Sequence, residues 1–188
     1  MGSRMSFNPE STAQAEYEFW RAHNDKDVPR LRAALESWTG ELYDLDPDAS
    51  TEAVEHLLEA TQHHDVRDWD AATKCAAGYY QVVAERSGLH FSPRRAGALE
   101  VSWWRIHDDL EHETDKTPLV DAFCGLYAEV LGVPQDVIRE SCKLKAEATV
   151  EHDRAEDSDT APEKVEEHWG AAAQALEQSY RLMKNSIS

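Results

Sequence analysis

The stretch "VEEHWGAAAQALEQSYRLMKNSI" (residues 165–187) places Val165, Trp169, Ala172, Leu176, Tyr180, Met183 and Ile187 at spacings of three and four. At 100° per residue these side chains fall in one continuous apolar stripe, and apart from Leu182 the residues between them are polar or small. An amphipathic helix long enough to run the length of a domain follows. Immediately before it, "TAPE" (residues 160–163) puts Thr160 as N-cap and Glu163 three residues on, the spacing of a capping box.

The same period recurs along the chain. Leu31, Leu35, Trp38 and Leu42 make a second stripe, and Leu119, Phe123, Leu126 and Val130 a third. Ala72, Cys75, Tyr79 and Val82 make a fourth, with Ala76, Ala77 and Gly78 leaving room for a close neighbour. Proline lacks an N–H that the first helical turn would leave unpaired anyway, so it marks helix starts. Pro9, Pro29, Pro93, Pro118, Pro134 and Pro162 stand at such starts, and two more helices are expected after Ser50 and Asp68. Gly88 and Gly132 follow helical runs, where a left-handed C-cap is wanted. The acidic segment "DRAEDSDTAPE" (residues 153–163) reads as a loop. No segment alternates like a strand. The fold class is all-α: a single-domain bundle of about eight helices with no sheet, over residues 6–188. Met1–Met5, "MGSRM", reads as a cloning remnant and is set aside from fold reasoning.

With 188 residues, 41% hydrophobic and 30% charged, the chain has a globular balance and enough length for one core. A net charge of −18 disfavours nucleic acid and anionic membrane, since both need basic surface. No apolar run approaches the ~18 residues of a spanning helix, and no signal-peptide pattern opens the chain. A soluble, cytoplasmic protein is expected. Three cysteines at 75, 124 and 142 form no C-x-x-C, and each reads as a small buried hydrophobe.

One helix carries more than a core stripe. In "LEVSWWRIHDDLEHE" (residues 99–113), Leu99, Trp103, Ile106 and Leu110 continue from Ala96 as the core face. Glu100, Trp104, His107 and Glu111 form a second row about 100° round. On this reading Trp103 packs and Trp104 is spare, and the Tyr79–Tyr80 pair repeats the pattern with Tyr80 as the spare ring. A carboxylate one turn from an imidazole orients it and favours its charged form, which suits proton transfer near neutral pH. His107 is the candidate acid or base, Glu111 or Glu100 its partner, and Trp104 and Tyr80 the ligand-contacting rings. As a plain helix border, the same row would be a surface pair adding a few tenths of a kcal/mol.

Metal and cofactor chemistry finds little footing. No histidine has a glutamate three residues before it, so a carboxylate-bridged di-iron bundle is disfavoured. His107, beside Trp103 and Trp104, is the one candidate for an axial haem ligand. "DLDPDASTEAVE" (residues 44–55) resembles an EF-hand loop in its acid spacing, but Ala49 replaces the turn glycine and Pro47 stiffens the segment. His63 and His64, with Glu59, fit a helix C-terminus whose carbonyls they help satisfy. No metal site and no cofactor is expected.

Two functional classes follow. In the first, the chain is a small helical metabolite-binding protein, with cofactor-independent acid/base catalysis on a small organic molecule as its extension. In the second, it is a non-enzymatic interaction or regulatory protein whose aromatic helix faces meet a partner or form a homodimer. The first predicts Trp104 and His107 buried around a cavity of at least ~300 Å³. The second predicts them exposed in an apolar patch.

Overall fold

The computed structural model describes residues 5–110 and 115–187, and every statement of absence below refers to these. They form eight helices and no strand: α1 (Pro9–Asn24), α2 (Val28–Tyr43), α3 (Pro47–Asp65), α4 (Trp69–Ser87), α5 (Pro93–Asp109), α6 (Thr117–Leu131), α7 (Gln135–Glu156) and α8 (Pro162–Ile187). Short turns make sequence neighbours pack as pairs, and α8 lies against both α7 and α1, which closes the bundle end to end.

The helix starts have a shared chemistry. Asn8, Asp27, Asp46, Asp68 and Ser92 each accept a hydrogen bond from the backbone of the following turn, satisfying donors the helix leaves free. A proline follows directly in three of the five, and in α2 Pro29 stands one position further on. Pro47 is one of them: α3 begins there, not after Ser50, with Asp46 as its cap. That ends the EF-hand resemblance, because residues from Pro47 onward are helical and Asp46 is committed to Ala49 N at 2.9 Å. Asp44 sits in left-handed conformation as the C-cap of α2. Two other expectations are corrected. Thr160 does not cap α8, since its hydroxyl donates instead to the Arg154 carbonyl at 2.6 Å. Residues 153–156 of the expected acidic loop continue α7.

Gly88 and Gly132 adopt the positive φ of left-handed C-caps, +72° and +66°. The stripe of α8 is buried from Trp169 through Met183. It meets the buried Leu35, Trp38 and Leu42 of α2 and the buried face of α6 in one core. α4 and α5 cross closely at Gly97. A Cβ on Gly97 would stand 2.4 Å from the Ala77 backbone nitrogen, so this crossing accepts glycine alone. Met5 is half-buried against the core, and its carbonyl accepts from Lys184 Nζ at 2.7 Å, so this residue belongs to the folded unit.

Candidate functional site

The α4–α5 contact brings Tyr80 opposite Glu100. The Tyr80 hydroxyl donates to Glu100 Oε2 at 2.6 Å. Both indoles of the tryptophan doublet then reach back along α5 to the same carboxylate: Trp103 Nε1 donates to Oε1 at 3.0 Å and Trp104 Nε1 at 3.1 Å. A half-buried carboxylate therefore sits among three neutral donors. Among the described residues no lysine, arginine or histidine forms an ion pair with it. Burial raises the Glu100 pKa, and the three hydrogen bonds only partly offset that rise. Tyr80 is itself pushed well up, first by burial and then by the Glu100 charge, so its hydroxyl stays a donor.

This changes the expected division of labour. Tyr80 is not spare; it is as buried as Tyr79, at 1% exposure each. Nor do Trp103 and Trp104 have separate roles, because both are half-buried and both hold Glu100. Trp103 also packs on Phe123 at 5.0 Å, and Trp104 meets His64 edge-on at 5.4 Å. Aromatic rings thus wall the carboxylate on several sides.

His107 is a different story. Its Nε2 lies 3.0 Å from both carboxylate oxygens of Asp153 on α7. No contact joins it to Glu100, and Glu111 lies outside the described residues. Asp153 also approaches the neighbouring His152, 3.4 Å from its Nδ1. Burial opposes the Asp153 charge, but the two imidazoles overcome it and hold the pKa down at about 2. His152 is half-buried between the Trp20 and Trp169 rings, with centroids 4.8 and 5.4 Å away. Burial works against its charge too, yet Asp153 and Glu156 raise its pKa to about 9. The Glu156 contact, 3.1 Å from Nε2, lies off the N–H direction and is an ion contact without a hydrogen bond. His107 is thus tied into a line of imidazoles and carboxylates that joins α5 to α7.

A second polar centre escaped the sequence reading. Lys145 of α7 donates to Glu16 of α1 in the interior, with side chains only 5% and 4% exposed. Tyr180 donates to the other Glu16 oxygen at 2.6 Å, and Trp38 Nε1 donates to the Tyr180 hydroxyl at 2.8 Å. The Lys145 ammonium also lies over the Tyr180, Trp20 and Tyr127 rings at 5.2 to 6.0 Å. The sequence held a signal for this: Ile138, Cys142, Lys145 and Ala148 share one face of α7. A charge on such a face must find a buried partner.

Two clefts lie away from Trp104 and His107, where the cavity was expected. One of about 480 Å³ lies over Gln81, Glu85, Leu89, His90 and Phe91. It comes nearest to the candidate site at Phe91, whose ring packs edge-on against Tyr80 at 5.9 Å. Another, of about 620 Å³, lies between the start of the chain, α2 and α3. No helix among the described residues is long and apolar enough to cross a membrane. No family model, curated protein or solved structure matches the chain.

Proposed function

We propose that this chain binds a small organic molecule at Glu100, with Glu100 in place of His107 as the group that holds or gives up a proton. The observation that carries the reading is the hydrogen bonding of this one carboxylate. A carboxylate offers about four lone-pair sites. The two indoles occupy Oε1 and Tyr80 takes one site on Oε2, which leaves a single acceptor position on Oε2. A ligand completing the site must bring an N–H or O–H, so the fitting class is a small amine or alcohol with an apolar body for Trp104. Half-burial beside aromatic rings strengthens such a bond, because water competes poorly there.

Chemically, Glu100 is a candidate for proton exchange because burial raises its pKa above that of an ordinary glutamate. Tyr80 and the two tryptophans are positioning residues. The interaction-protein reading finds less support: the large apolar side chains most exposed among the described residues are Val28, Val66, Val137 and Leu182, on separate parts of the chain.

The test is a tryptophan-fluorescence titration with benzylamine, cyclohexylamine and cyclohexanol as probes. The reading expects a saturable change with at least one probe that Glu100→Gln abolishes and His107→Gln keeps. No saturable change, or equal binding by the Glu100→Gln variant, would overturn it.

A further inference from the structure

Outside the Glu100 region, the turn between α3 and α4 gathers three side chains of a different chemistry. Glu59 and His63 stand at i and i+4 on one face of α3, and Cys75 faces them from α4. One carboxylate oxygen, one imidazole nitrogen and the thiol sulfur all lie within 4.8 Å of one another. We propose that Glu59, His63 and Cys75 form a three-ligand site for a divalent transition-metal ion, zinc by its chemistry, with the fourth position open to water.

The donor set carries the choice of ion. Thiolate and imidazole are ligands of zinc and its neighbours, whereas calcium and magnesium take oxygen alone. Zinc sites with three protein ligands and a free position are the open kind, in contrast to four-ligand structural sites. Bond lengths of about 2.0–2.3 Å put tetrahedral ligand atoms roughly 3.3–3.8 Å apart. Closure from the present spread therefore needs a movement of about 1 Å, within reach of the exposed Glu59 side chain.

The surroundings fit. Cys75 is half-buried beside the small cluster of Ala60, Ala72, Ala76 and Val101, which fixes the thiol on the inner side. Asp68 brings a carboxylate oxygen to 4.0 Å from His63 Nδ1, the kind of outer carboxylate that orients metal-bound imidazoles. Binding costs one proton, released by the Cys75 thiol to solvent, and a cation between thiolate and carboxylate neutralises both. Nothing in this site depends on the reading of Glu100.

Cobalt(II) tests it, because a thiolate ligand gives a sulfur-to-cobalt charge-transfer band and four-coordination gives intense visible bands. The chelator-treated full chain should develop both at one equivalent of Co²⁺, and Zn²⁺ should bleach them. Cys124 and Cys142 are fully buried, so the charge-transfer band reports Cys75. Cys75→Ser should lose that band with its helical circular dichroism intact. His63→Gln and Glu59→Gln, which keep the thiol, should each weaken Co²⁺ binding ~10-fold or more, and they carry the test if the serine variant fails to fold. Absence of the band in the wild-type protein, its persistence in Cys75→Ser, or unchanged affinity in the His63 and Glu59 variants would overturn the proposal.

Discussion

His107 Nε2 lies 3.0 Å from both oxygens of Asp153, a partner 46 residues away on another helix. This contact fastens the end of α5 to α7 and gives His107 a structural role. Replacing His107 by Gln should lower stability by about 1.5–3 kcal/mol, the range for hydrogen bonds to a charged group. Amine-probe binding at Glu100 should survive. Urea unfolding with the probe titration run on the same variant separates the two effects, and loss of binding in a stably folded variant would return His107 to the site.

The same line of charges predicts a pH dependence. His152 has a folded pKa of about 9, above the ~6.5 expected when unfolded. Its stabilising contribution is therefore complete below ~6.5 and is lost as pH climbs through about 9. The full span is on the order of 3 kcal/mol. Asp153 acts in the opposite direction: its contribution is present above ~3.9 and is lost as pH falls through about 2. Urea midpoints measured from pH 6 to pH 10 should fall in the wild-type protein, and His152→Gln should flatten that slope.

Burying both charges of the Glu16–Lys145 pair makes each dependent on the other. Lys145→Met leaves an unpaired carboxylate in the interior and should cost about 3–5 kcal/mol. Adding Glu16→Gln removes the orphaned charge, and the double variant should recover much of that loss. A double-mutant cycle in urea checks this; additive losses would mean that the two groups do not depend on one another.

The α4–α5 crossing can be tested by one methyl group. Gly97→Ala forces a Cβ onto the Ala77 backbone and should destabilise by about 1–3 kcal/mol. Gly170→Ala meets nothing within 4 Å on the exposed side of α8 and should stabilise by roughly 0.5–1 kcal/mol. Thermal unfolding of the two variants should move in opposite directions.

Much of the fold was legible because helix period and helix punctuation agree in this chain. Proline, the capping acids and the two C-cap glycines act locally, so they are readable without tertiary structure. Thr160 misled for the converse reason: its hydroxyl had a nearby carbonyl, at Arg154, to compete with the cap. The site was legible only in part. Glu100 meets Trp104 and Tyr80 through hydrogen bonds that the spare-ring reading did not foresee, because helix spacing cannot say which side chain across the gap takes a hydrogen bond. Asp153 claimed His107 from a helix whose approach no local pattern reveals. Glu16 and Lys145 went unread although each is a charge on an apolar helix face, and their pairing depends on how α1 and α7 dock.

Glu100 is the centre of the proposed site, and its protonation can be read directly. Trp103 and Trp104 both donate to its Oε1, so a change of charge there must alter their emission. Tryptophan fluorescence followed against pH in the wild-type protein and in Glu100→Gln isolates that response. A carboxylate held at this site should give a transition with a midpoint above the ~4.3 of an ordinary glutamate, absent from the variant. A midpoint at the ordinary value, or the same transition in Glu100→Gln, would contradict it.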